Sequence, residues 1–236
     1  MASGQPNKPG RRVGSRHHQQ AQRDRGAETR QRLIAAALDV FGRYGFEGAT
    51  TRQIAKAANA NLAAIVYHFG SKEALHLAVA EYIGQRMGEM IGPTLASAAT
   101  AEALVSPETA RAALFRIMGT YIDMILGADE AEQFARFIVR EQMQPSAAFD
   151  VIFTFVGGAH ALACRLVARI IGGEETDDAV KVRVFTLVGQ ILVFRVAQAV
   201  VLRTTGWASI GEAERDMIRD MILSNADAIL DREMER

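Results

Sequence analysis

Between Asn61 and Leu75 the chain reads NLAAIVYHFGSKEAL, which brings Tyr67, His68 and Lys72 close together. Each of these side chains can donate a hydrogen bond to a phosphate oxygen. Upstream, Thr51 opens the segment TRQIAKAA. A hydroxyl beside the free N–H groups of a helix start suits another phosphate. The same residues, read differently, are packing groups of an ordinary helical bundle, so spacing alone leaves both readings open.

Other chemistries lack their residues. The sequence has no Gly-rich phosphate loop, no GxSxG, no HExxH and no Cys/His cluster. His160 has a single possible co-ligand nearby, Cys164 at i+4, and two ligands do not make a metal site, so no metal or cofactor is expected, and neither is an enzyme. The acid pairs Glu174-Glu175 and Asp177-Asp178 fall at a helix start, where they serve as caps. Cys164 is the single cysteine, which excludes an intramolecular disulfide and fits a reducing, cytoplasmic setting. The apolar run 184–202 is interrupted by Gln190, Arg195 and Gln198. Arginine near the middle of a span is costly, so no membrane partner is expected. The basic N-terminus is followed by no apolar run, unlike a secretory signal.

Positioning such groups falls to helices. Hydrophobic residues make up 49% of 236, enough for a core, and no period-2 alternation stands out. Residues 1–26, rich in Gly, Pro, Gln, Ser and Arg, are expected to form a disordered basic tail. The net charge of zero hides a split: Lys8, Arg11, Arg12, Arg16, Arg23, Arg25, Arg30, Arg32, Arg43, Arg52, Lys56 and Lys72 outnumber Asp24, Glu28, Asp39 and Glu47. The first 72 residues therefore carry +8 and the remainder −8. A polyanion partner for the N-terminal part follows.

Leu33, Ile34, Ala37, Val40 and Phe41 mark a helix from 27 to 44 with an exit at Gly45. Thr50 and Gln53 form a T-x-x-Q capping box for a short second helix. Asn59 supplies a tight turn, and Asn61 caps a third helix, 62–69. Ser71 caps a fourth, expected to end near Ile91 before Pro93. Further helices are expected over 107–126, 129–142, 145–171, 176–203 and 210–230, the last opened by an S-x-x-E box at Ser209. The prediction is an all-α chain of about nine helices. Residues 27–72 form a three-helix helix-turn-helix unit and 73–236 a larger bundle.

The segment FGRYGFEGATTRQIAKAANANLAAIVYHFGSKEALHLAV, Phe41 to Val79, closely resembles the DNA-binding domain of TetR/AcrR-family transcriptional regulators. An aromatic-glycine helix end, a Thr-Thr-x-x-Ile-Ala helix, a helix ending Tyr-His-Phe and x-x-Lys-x-x-Leu follow in that order. The resemblance implies double-stranded DNA as partner. Thr51 and Arg52 would meet the backbone or a nearby base, and Leu62, Ala63 and Ala64 would enter the groove. Tyr67, His68 and Lys72 would anchor phosphates. Two departures matter. Asn59 stands where the turn usually has Gly. Leu62-Ala63-Ala64 offers no side-chain donor to a base, so readout would lean on thymine methyls, Arg52 and DNA shape.

REQMQPSAAFD, residues 140–150, together with the helix after it, resembles the C-terminal domain of the CecR-like subgroup. The resemblance implies ligand sensing and homodimerisation. A ligand-responsive repressor on a palindromic operator, released by a small effector, is the expected function. An activator or architectural protein without a ligand is the alternative. Candidate pocket liners are Tyr121, Phe134, Phe137, Phe153, His160, Gln190 and Phe194. Arg195, in an apolar helix, needs an anion, and Glu141 is its expected partner.

Overall fold

The structure is a computed structural model that describes residues 13–127 and 130–234. Among these residues the chain is all-α. The helices are α1 (Val13–Gly48), α2 (Thr51–Ala57), α3 (Leu62–Phe69), α4 (Lys72–Ala98), α5 (Pro107–Gly127), α6 (Ala131–Met143), α7 (Ala147–Ile171), α8 (Asp178–Val196), α9 (Gln198–Thr205) and α10 (Glu212–Met234). One 3-10 turn, Glu102–Leu104, precedes α5.

The N-terminal unit follows its sequence pattern. Leu33, Ile34, Ala37, Val40 and Phe41 are buried against Ile54, Ala55, Ala58 and Ile65, with Phe69 half-buried beside them. Each large aliphatic side chain so buried contributes about 1.5–3 kcal/mol. Helical geometry in α1 breaks at Gly45, whose φ of 71° and ψ of 175° suit glycine but are extended rather than left-handed helical. The capping box forms in full: Gln53 N–H donates to Thr50 Oγ1 and Thr50 N–H to Gln53 Oε1. Asn59 takes φ 48° at the turn, Asn61 Oδ1 accepts from Ala63 N–H, and Ser71 Oγ from Ala74 N–H.

Four expectations are corrected. Residues 1–12 of the expected disordered tail lie outside the described residues, but 13–26 are the first turns of α1. This segment holds Gln19, Gln20, Gln22, Arg16, Arg23 and Arg25, good helix formers, and extending an existing helix needs no new nucleus. Helix α4 runs through Pro93 to Ala98 instead of ending near Ile91. The residue before this proline is Gly92, which has no Cβ to clash with the ring. The helix expected over 176–203 is two helices, α8 and α9, bent by 74° at Ala197. With that break the described residues hold ten α-helices, not nine. Finally, Ser209 does not cap α10; Glu214 Oε2 accepts from Gly211 N–H just before the helix.

The C-terminal bundle is built on α4, α5 and α7, with α8 and α10 laid against them and α6 between the bundle and α1. Helix α7 alone is long and apolar enough, as a single helix among the described residues, to cross a membrane. Leu162, Leu166, Val167 and Ile170 instead bury its apolar face in the core. Helix α4 belongs to both units: Leu75, His76 and Val79 lie in the core near α1, and Ile83, Met87 and Ile91 in that of the bundle.

Candidate nucleic-acid interface and sensor cavity

Helix α3 has an inner and an outer face. Ile65 is buried, while Leu62, Ala63, Val66 and Tyr67 are exposed, Tyr67 to 84%. A Leu62–Tyr67 face with no buried partner, on the second helix of a helix-turn-helix, has the shape of a major-groove insert. Ala64 does not share it. It is half-buried against the core, about 100° around the helix from Ala63, and Val66 stands outward instead. His68 is half-buried, its ring 4.9 Å from that of Tyr67 and 6.2 Å from that of Phe69. Thr51 is half-buried at the start of α2 and Arg52 is exposed.

Lys72 departs from its expected place. Its ammonium donates to the carbonyls of Phe46 and Ala49, at 2.8 and 3.1 Å, and lies 4.2 Å from the Phe46 ring centre. In this state it closes the chain between α1 and α2 rather than facing solvent. Conversely, Lys56 was overlooked. It lies one turn after Arg52 on the exposed side of α2, and neither cation has a hydrogen bond or ion pair among the described residues. The signal was their i, i+4 spacing.

Behind this unit, α6 grips α1 and α4. Arg140 donates from Nε to Gly42 O at 2.7 Å and from its terminal nitrogen to Arg43 O, satisfying carbonyls at the end of α1. Buried His76 of α4 sits with its Nε2 3.2 Å from Glu141 Oε1, amid the rings of Phe41, Phe46 and Phe137. Burial outweighs the carboxylate and holds the His76 pKa below its ordinary value, with the Lys72 charge adding to the fall. Glu141 Oε2 also accepts from the backbone and hydroxyl of Ser146. The expected Arg195–Glu141 pair is therefore absent. Arg195 donates to the Ile125 carbonyl at 2.8 and 2.6 Å and to Gln198, because the negative end of α5 supplies the acceptor it needs.

A cavity of about 140 Å³ lies between α4, α5, α7 and α8. Met87, Leu114, Met118, Phe155 and Val188 are among its walls, and Tyr121 and His160 line it as expected. The other candidates do not. Phe134 and Phe137 of α6 are core residues, their rings 6.2 Å from Tyr82 and 5.0 Å from His76. Phe194 packs against the core, and Gln190 Oε1 accepts from Asn225. Phe153 lines an outer groove between α7 and α8 that shares Val156, His160 and Phe185 with the cavity. Pocket formation depends on which helices meet, and α4, not α6, provides the fourth wall.

Two family models match successive stretches of the chain. Residues 33–79 match the family model described as bacterial regulatory proteins, tetR family. Residues 110–232 match the C-terminal domain of the HTH-type transcriptional dual regulator CecR. The CecR protein of Shigella flexneri is 35% identical over 209 residues, covering 87% of this chain and 93% of its own. The transcriptional repressor AcnR of Corynebacterium glutamicum is 27% identical over 168 residues, covering 65% of this chain and 88% of its own. Among solved structures, AibR in complex with isovaleryl coenzyme A and operator DNA has the same fold. It gives a TM-score of 0.60 at 16% identity over 83% of this chain and 96% of its own. A transcriptional regulator from Pseudomonas aeruginosa PAO1 gives 0.62 at 15% identity, covering 88% of this chain and 92% of its own.

Proposed function

The chain belongs to the TetR family of bacterial transcriptional regulators, with a C-terminal domain of the CecR type, and on that premise we propose that it is a homodimeric, ligand-responsive repressor. One subunit reads one half-site of a near-palindromic operator, with α3 in the major groove. The exposed Leu62–Tyr67 face of α3, flanked by the uncommitted cations Arg52 and Lys56, carries this reading. Leu62, Ala63 and Val66 meet base edges through apolar contact. Thr51, Tyr67 and His68 hold phosphates, and Lys72 does so only if it leaves the carbonyls of Phe46 and Ala49. The family is one of regulators rather than enzymes, working in the cytoplasm on DNA.

The dimer forms through the stripe Val182, Val193 and Val196 of α8 and Met217 and Met221 of α10, all exposed in the single chain. Large apolar side chains grouped in this way mark an interface. An effector in the cavity acts on α4, which lines it at Met87 and Ile91 and starts at the DNA-binding unit. It alters operator affinity only as far as it prefers one setting of α4 over the other. The S. flexneri relative is named a dual regulator, which favours a second reading: repression at some sites and activation at others.

Selection from a random pool of duplex DNA tests the proposal. A palindromic winner with two half-sites, bound by two chains and lost at high salt, is expected. Binding that stays weak and blind to sequence, with and without effectors, would reject it.

A further inference from the structure

Only two polar side chains, His160 and Tyr121, interrupt the apolar lining of the sensor cavity. His160 Nε2 is buried with no hydrogen bond, while Nδ1 lies 3.5 Å from Cys164 Sγ. Tyr121, on the facing helix α5, has its hydroxyl pushed up to about 12 by burial alone, with no bonded neighbour contributing. Buried polar atoms are normally paired, so the orphaned His160 Nε2, in an apolar cavity that Tyr121 also lines, indicates a missing partner. A water is a poor candidate, since it needs several polar neighbours and the remaining walls are aliphatic, thioether or phenyl.

The lining also limits what the partner is. No Lys or Arg faces the cavity, so a carboxylate or phosphate would be buried without a counter-charge. A volume near 140 Å³ resembles that of apolar cavities of roughly 150 Å³ that hold a benzene ring. Met87, Met118 and Met124 give a soft, polarizable wall that suits an aromatic face. Cys164 can donate to Nδ1 or accept from it, so His160 Nε2 can serve as either donor or acceptor. Val156, His160 and Phe185, shared with the outer groove, provide the mouth.

We propose that the effector is a compact, uncharged, single-ring molecule with one hydroxyl or carbonyl, hydrogen-bonded to His160 Nε2 and the Tyr121 hydroxyl. This rests on the ligand-responsive reading above. Isothermal titration of the full-length protein with p-cresol, p-xylene and p-toluate, one ring shape in three polarities, tests it. We expect p-cresol to bind about 10-fold more tightly than p-xylene, the size of one good hydrogen bond, and p-toluate not to bind. Tyr121→Phe and His160→Leu should each shrink the cresol-to-xylene ratio, and p-xylene binding that persists in a variant reports that its cavity is intact. Equal binding of cresol and xylene by the wild type, preference for toluate, no binding by any of the three, or an unchanged ratio in both variants overturns the proposal. A separate operator titration separates the two readings. Cresol bound with this selectivity but without effect on DNA leaves the cavity assignment standing and removes the ligand-responsive function.

Discussion

Tyr67 meets only the edge of the His68 ring, and its hydroxyl has no partner among the described residues. Tyr67→Phe therefore removes one phosphate contact and little else. Operator affinity should fall several-fold, about 1 kcal/mol, in a fluorescence-anisotropy titration, while the melting temperature stays put. An unchanged affinity would take Tyr67 out of the interface. His76 makes the opposite kind of prediction, because it is buried. Its folded pKa is depressed, so between that value and the ordinary His value of about 6.5 the unfolded chain binds more protons. Its contribution is complete above about pH 6.5 and is lost below it, by at most about 1.4 kcal/mol per pH unit. Urea midpoints at pH 7.5 and 5.5 should fall further for wild type than for His76→Gln; parallel falls would count against it. The motif names Tyr67 and Lys72 alike, and the outward place of Tyr67 was legible from its spacing against Ile65 and Phe69. The contacts of Lys72 and His76 were not, because their partners Phe46, Ala49 and Glu141 lie elsewhere in the chain.

Helices α2 and α3 depend on a turn at Asn59, the described non-glycine residue with positive φ. Glycine takes that conformation without cost, whereas a β-branched residue resists it by roughly 1–2 kcal/mol. Asn59→Gly should thus leave stability unchanged or slightly raised, and Asn59→Val should lower it by about that amount, read from urea unfolding. If valine proves harmless, the turn geometry is not what fixes α3. The short helices were legible because their caps are local: Thr50, Asn61 and Ser71 each bond within three residues. The bend at Ala197 and the unbroken passage through Pro93 were not. One accompanies an Arg195 bond to the distant Ile125 carbonyl, and the other comes with the missing Cβ of Gly92. Likewise α6 reads as a pocket wall by its aromatics, yet Phe134 and Phe137 face Tyr82 and His76.

At the scale of the molecule, the apolar stripe on α8 and α10 calls for a partner. Val193→Arg together with Met221→Arg places charge on two exposed positions without touching the core. Light scattering should report a monomer, and operator affinity should collapse by about 100-fold or more, since each half-site alone binds weakly. A double variant that still weighs as two chains would move the interface elsewhere. Which cavity helices meet depends on long-range packing, so Tyr121 and His160 were found from sequence while Met87 and Phe155 were not. The division of charge was plain from the start, and it has a further effect. A surplus of +8 in the first 72 residues against −8 beyond them makes each subunit a permanent dipole. In a two-fold dimer the components along the symmetry axis add and those across it cancel. The field of a nearby duplex then exerts a torque that turns the basic end inward before any contact forms. The same cancellation leaves no net repulsion between molecules at neutral pH, so head-to-tail attraction goes unopposed. Solubility should pass through a minimum there in dilute buffer, and added salt, by screening that attraction, should dissolve the protein.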